Sequence, residues 1–175
     1  MSAMAIAVEP QCAARWYAVK VKSNREKVVA QSLEGKGYEV FLPSYLASRR
    51  WSDRVKEVSL PFFPGYVFCR MEAKRRLPIL TIPGVVLIVG FGKEPTPVED
   101  HEISGLQLIV RSGAAAEPWP FLKVGRTVRL DSGPLRDLEG ILVEIKSQHR
   151  LVVSVNLLQR SVAVQVERGS VTPLG

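Results

Sequence analysis

The chain reads as an α+β domain followed by a small all-β barrel, and three observations carry that prediction. Between residues 15 and 113, segments with the two-residue alternation of a strand are interleaved with segments of helical periodicity. Ala114-Ala115-Ala116-Glu117-Pro118-Trp119-Pro120 then carries two prolines and little periodicity. From Val124 onward the pattern is of short strands alone, split by glycine and polar turns. The predicted division is a first domain at 15–113, a link at 114–123 and a second domain at 124–175.

Residues 15–22 form the first predicted strand, with Tyr17, Val19 and Val21 on one face and Lys20 and Lys22 on the other. Ser23-Asn24-Arg25-Glu26 has the form of a capping box, so a helix should start there. Val29 and Leu33, four apart, supply its buried stripe, and Gly35 and Gly37 its end. Residues 38–42 predict a second strand, stopped by Pro43. Residues 48–56 hold four cations and a tryptophan around a Ser-Asp turn, the composition of an exposed basic hairpin. Such a hairpin is either a phosphate contact or a solvated tip. Residues 74–82 predict a short helix, with Pro78 in its first turn or distorting it. The near-continuous apolar run 85–91 predicts a central strand, and 92–97 a loop. Residues 100–112 predict a second long helix with Ile103, Leu106 and Val110 on one stripe and Gly113 as its stop. The order β-α-β-hairpin-β-α-β-α fits a ferredoxin-like split βαβ plan. In the second domain, residues 127–130, 140–146, 150–157 and 161–166 predict the strands of a barrel of SH3-like size.

With 46% hydrophobic and 23% charged residues the composition is that of a globular chain. No apolar run approaches the roughly 20 residues of a membrane-spanning helix, and residues 1–11 lack the basic start of a signal peptide. Cys12 and Cys69 are too few for a disulfide framework or a zinc site, and His101 and His149 have no second ligand at metal spacing. No metal and no cofactor is expected, and a reducing, cytoplasmic setting is the simplest one. The net charge is +7, and residues 1–113 carry most of it, with 16 Lys+Arg against 11 Asp+Glu. Such a surface attracts polyanions, nucleic acid first among them. The sequence offers no nucleophile–base pair, carboxylate pair or phosphate-binding loop, so a binding protein is expected and not an enzyme.

The most informative stretch is Phe62-Phe63-Pro64-Gly65-Tyr66-Val67-Phe68, four aromatic rings around a Pro-Gly turn that leads into a strand. Tyr66, Phe68 and Arg70 alternate with Val67, Cys69 and Met71, so both faces of that strand are largely apolar. Either the strand is buried on both sides, or its aromatic face is reserved for a partner. Periodicity alone favours burial.

The two halves together resemble the NusG family of transcription elongation factors. The N-terminal half resembles that family's N-terminal (NGN) domain through Trp16-Tyr17-Ala18-Val19, Asn24-Arg25-Glu26, the aromatic stretch at 62–68 and Ile82-Pro83-Gly84-Val85. The C-terminal half is similar to a KOW domain through Gly125-Arg126-Thr127-Val128, Asp131-Ser132-Gly133-Pro134, Leu138-Glu139-Gly140 and Val155-Asn156-Leu157-Leu158-Gln159-Arg160. The resemblance implies a monomeric transcription elongation or antitermination factor, with no membrane role. Its NGN domain would grip the clamp helices of RNA polymerase through Phe62, Phe63, Tyr66 and Phe68 and so suppress pausing or termination. The aromatic face would then be partly exposed, with Val67 and Cys69 in the core. Lys20, Lys22, Arg25, Lys27, Arg75 and Arg76 would touch upstream or non-template DNA, or form a solvated basic face. The KOW domain would recruit Rho or a small-subunit ribosomal protein through Leu135, Leu138, Leu158 and Arg160. Its β-branched valines imply a barrel with no helical alternative. The segment 75–80 and the aliphatic KOW loops are more similar to those of an operon-specific antiterminator than to those of the housekeeping factor. The alternative is a KOW-containing RNA-binding or ribosome-associated protein.

Overall fold

The computed structural model describes residues 13–175, so the expectations for residues 1–11 and for Cys12 fall outside it. Strands β1 (Arg15–Val21), β2 (Glu39–Phe41), β5 (Tyr66–Met71) and β6 (Val85–Ile88) form an antiparallel sheet in the order β2-β5-β1-β6. Strands β3 (Ser44–Trp51) and β4 (Arg54–Pro61) make a hairpin that pairs only with itself. Helix α1 (Glu26–Gly35) and helix α2 (Leu77–Leu80) contribute Val29, Leu33 and Ile79 to a core on one side of the sheet, against Tyr17, Val19, Val67, Cys69 and Met71. Pro78 sits in the first turn of α2, where its missing N–H costs nothing. Helix α3 (Asp100–Ser112) lies on the other side and ends at left-handed Gly113.

Five local expectations change. The run at 85–91 is not central: β6 is an edge strand with Val86 and Leu87 exposed. The expected loop at 92–97 carries β8 (Glu94–Pro95), paired with β7 (Gly90–Phe91). Ile109, not Val110, completes the buried stripe of α3. Glu26 does not close a capping box; α1 has no side-chain cap, and the carboxylate is used elsewhere. The segment expected as a link contains β9 (Ala116–Trp119), which pairs with the barrel.

That barrel is built from β10 (Thr127–Leu130), β11 (Glu139–Ile145), β12 (Gln148–Val155), β13 (Arg160–Val166) and the unforeseen β14 (Val171–Pro173), in the order β14-β10-β11-β12-β13-β9. Ala115 and Leu122, on either side of β9, are also tied down. The Ala115 carbonyl accepts from the Gln165 N–H at 3.1 Å, and the Ser154 hydroxyl donates to the Leu122 carbonyl at 3.0 Å.

The two Pro-Gly signatures have one structural purpose. In each, the residue after glycine donates to the residue before proline: Tyr66 N–H to the Phe63 carbonyl and Val85 N–H to the Ile82 carbonyl, both at 3.1 Å. With Gly65 at φ +86° and Gly84 at φ +98°, these are type II turns, whose third position demands glycine. The carbonyls of Gly65 and Gly84 then accept from the successive N–H groups of Val21 and Lys22 at 2.8 Å each. The Gly65 N–H in turn donates to Glu26 Oε1 at 2.9 Å. One turn on each side thus fixes the end of β1 and the start of α1.

Candidate functional site

Alternation along β1 and β5 sends Trp16, Ala18 and Phe68 to the face opposite the α1 core, and the first Pro-Gly turn folds Phe62 and Phe63 onto the same face. The Phe63 ring meets Phe68 edge-on at 5.7 Å, Phe41 stacks on Phe68 at 6.2 Å, and Tyr45 of the hairpin stacks on Phe62 at 5.0 Å. The result is a continuous aromatic face running from the sheet to the base of the hairpin.

The face is not open. Val98, Ile103 and Leu106 cover part of it from within the first unit, while Val155 and Val162 of the barrel, with Ala116, Leu157 and Leu158, cover the rest. Phe62, Phe63 and Phe68 are 4%, 1% and 0% exposed. Tyr66 alone among the four expected contact residues keeps partial exposure, with the Arg160 guanidinium 5.5 Å above its ring. The expectation of a partly exposed aromatic face therefore meets a structure in which the chain's own barrel occupies it. Trp16, Phe41 and Tyr45 belong to this face as well. Strand alternation places Trp16 on the side of Lys20, a signal the sequence contained.

Helix α3 is the seam between the two units. Glu102, itself buried, accepts from the Asn156 backbone N–H at 3.1 Å and from Asn156 Nδ2 at 2.8 Å. Burial pushes the Glu102 carboxyl above its ordinary range, and the Asn156 hydrogen bonds and nearby His101 oppose that shift only in part. One turn on, Gly105 lets the helix approach the barrel: a Cβ there would stand 3.2 Å from Leu138 Cδ1. Ile109 reaches the barrel core beside Leu138 and Val153. The seam is incomplete. A cleft of about 680 Å³ remains between α3 and the barrel, lined among others by His101, Ser104, Leu108, Lys123 and Arg136.

Of the expected barrel contacts, Leu135 and Leu138 are buried in the barrel core, Leu158 is half-buried against the aromatic face, and Arg160 lies over Tyr66. The aliphatic loop positions thus face the first unit or the barrel's own interior. Among the expected cations, Lys20, Lys22, Arg25 and Lys27 are exposed together where β1 runs into α1. Arg75 and Arg76 are not part of that group. They follow β5, whose last residue pairs with Arg15 at the far end of β1. Arg75 pairs with Glu72 at 3.6 Å, and Arg76 with Glu94 at 4.0 Å. The Cys69 thiol is buried, and burial pushes its pKa up to about 12, so it is packing and not chemistry. Among the described residues no group of His, Cys, Asp and Glu is placed to hold a metal ion, and no helix is long and apolar enough to cross a membrane.

Known proteins agree with this architecture. A family model described as "Transcription termination factor nusG" matches residues 14–107. The transcription termination/antitermination protein NusG of Vibrio vulnificus is 31% identical, the alignment covering 91% of this chain and 96% of the relative. That of Pseudomonas aeruginosa is 30% identical over 89% of this chain and 96% of its own. The solved structure described as "Domain interaction in Thermotoga maritima NusG" covers 93% of this chain and 98% of its own, with a TM-score of 0.56 and 24% identity, a likeness of fold. With a family model over more than half its length and relatives aligned almost end to end, the chain belongs to the NusG family of transcription factors, which act by binding and not by catalysis.

Proposed function

We propose that this chain binds RNA polymerase through the aromatic face of its first unit, holds the polymerase clamp over the nucleic acids, and suppresses pausing or termination. One observation supports this above the others. The face built from Trp16, Phe62, Phe63, Tyr66 and Phe68 takes its outer cover from a separate unit, joined through a short seam, and not from its own helices alone. A surface of that composition is suited to a protein partner, because aromatic rings remove much area from water at little side-chain entropy cost. The effect on transcription is one of differential affinity for two polymerase conformations. Polymerase and barrel compete for the same rings, so the active form is the one in which the barrel has moved aside. The barrel would then be free to engage a second partner, Rho or a small-subunit ribosomal protein, through the edge that carries Leu158 and Arg160. Lys20, Lys22, Arg25 and Lys27 would lie beside the upstream or non-template DNA.

Retention of purified RNA polymerase by the tagged full chain tests the reading. Tyr66 is the clean probe, because it is half-exposed, whereas Phe62→Ala removes a buried ring and costs about 3–5 kcal/mol of stability. Tyr66→Ala should lower retention by about thirtyfold, the loss expected of an interface hot spot of about 2 kcal/mol. Its binding to nucleic acid, and the salt dependence of that binding, should not change. Unchanged polymerase retention in a folded Tyr66→Ala, Phe62→Ala chain would remove the aromatic face from the mechanism and favour an RNA- or ribosome-binding role.

A further inference from the structure

The β3–β4 hairpin takes no part in the function described so far beyond its base. It pairs with no other strand, and every residue from Ser48 to Glu57 is exposed. Its register sets Arg49 opposite Lys56 and Trp51 opposite Arg54. Opposed residues of an antiparallel ladder share a face, so these four side chains stand together on one side of the outer half. Glu57 and Ser48 stand on the other side, with Arg50 and Val55. The cationic face is continuous, through Ala47 and Val58, with Tyr45 and hence with the aromatic face of the sheet.

Two features of this arrangement are unfavourable in the free protein. Like charges directly opposite each other destabilise a strand pair, and Arg49 and Lys56 are so placed. Among the described residues neither makes an ion pair, and Arg54 meets only Asp53, at 3.9 Å with both side chains about four-fifths exposed (80% and 79%). Trp51 holds its indole in water, 61% exposed. One ligand chemistry relieves both: a chain of phosphates carrying unpaired bases. Phosphates neutralise the opposed cations, and a base covers the indole. A duplex meets the first need and not the second, because its bases are stacked on one another. An acidic protein surface meets the second need only where a ring or guanidinium happens to lie beside its carboxylates, whereas every nucleotide carries both a phosphate and a base.

We propose that this hairpin face is a binding site for single-stranded nucleic acid, in which Trp51 stacks on a base while Arg49, Lys56 and Arg54 contact the flanking phosphates. The site is distinct from the cations at Lys20–Lys27 and is tested without polymerase.

The full chain is titrated into a fluorescently labelled single-stranded 12-mer and into the corresponding duplex, with anisotropy read at several salt concentrations. The single strand should bind more tightly than the duplex. Trp51→Ala should weaken it by about tenfold, the usual cost of losing one stacked base, and Trp51→Phe should restore most of the affinity. Arg49→Gln with Lys56→Gln should flatten the salt slope by about 1.4, roughly 0.7 for each cation removed from a single-strand contact. Because all three positions are exposed at the outer end of a self-paired hairpin, circular dichroism should show the variants folded. Equal binding of duplex and single strand, or Trp51→Ala binding as tightly as the parent, would overturn the stacking site. So would capture of an acidic polypeptide such as poly-glutamate, dependent on Arg49 and Lys56, in a chain that ignores the single strand.

Discussion

Replacing Gly105 by leucine should lift the barrel off α3 while leaving both units folded. A Cβ at this position already stands 3.2 Å from Leu138 Cδ1 and 3.7 Å from Val153 Cγ1, closer to the first than side chains ordinarily approach. Leu138 and Val153 are both buried in the barrel core, so a shift of more than a few tenths of an ångström disturbs that core. The further carbons of leucine either turn into the neighbouring cleft or, where they meet these two side chains, displace or distort the barrel at a cost of about 1–3 kcal/mol. The wedge acts in the second case. Leucine is also the better helix former by about 0.8–1 kcal/mol, but that gain applies whether the barrel is docked or not, and cancels. The ratio of undocked to docked chains should rise by about 5- to 150-fold. Nitrogen-15 relaxation reads the outcome directly: amides of β12 and β13 should tumble as a small independent unit, with faster reorientation than in the parent. If polymerase binds the uncovered rings, retention should rise with the undocked fraction. Gly105→Ala, which asks Leu138 to give only a few tenths of an ångström, should fall between parent and leucine variant. A leucine variant whose barrel amides still tumble with the whole chain would refute the wedge. Independent tumbling with no gain in retention would refute the masking of the polymerase site.

Two further outcomes follow from the same geometry. Docking buries Glu102 and raises its pKa, so the docked state binds a proton more tightly than the undocked one. Docking should be strongest below the ordinary carboxylate value of 4.5 and weaken as pH rises through the raised value. Glu102→Gln keeps an oxygen for both Asn156 donors and should flatten the profile, as read by chemical shifts of Asn156 from pH 4 to 8; a flat profile in the parent would contradict it. Gly65→Ala forces a side chain into φ +86° and should cost about 1–2 kcal/mol. That corresponds to a melting temperature lower by about 2–8 °C in thermal unfolding, and an unchanged midpoint would dismiss the turn as a staple.

What the sequence disclosed depended on how local its cause was. Pro64-Gly65 and Pro83-Gly84 announce their turns because proline and glycine act on their own dihedrals, and the limits of α3 were readable because Gly113 ends it in the left-handed region. Where a distant group competes, the local rule fails. Glu26 sits where a capping box wants it, yet its carboxylate serves Gly65, 39 residues away. The apolar run at Val85 suggested a central strand, since hydrophobicity does not say which neighbour a strand will find; in the fold it is an edge. The aromatic stretch showed that a face existed and left its occupant open. That occupant, Val155 and Val162, lies some hundred residues on, in a unit whose own pattern requires no such contact. A mid-helix glycine was the one local hint, because Gly105 costs α3 helix propensity unless something must come close.

The tie between the units sets the terms on which a partner can enter. Helix α3 ends at Ser112 and Ala115 is already hydrogen-bonded to Gln165 of the barrel, so only Gly113 and Ala114 join them. Of these, Ala114 packs against the barrel core and donates its N–H to Ser112 Oγ at 3.1 Å. Two residues span at most about 7 Å. An undocked barrel therefore never leaves the neighbourhood; it remains a tethered rival at an effective concentration of about millimolar or above. A competitor in solution binds in proportion to the fraction of chains whose barrel has moved aside. If polymerase does take this face, as proposed above, the partly exposed edge where Arg160 lies over Tyr66 is where it would make first contact.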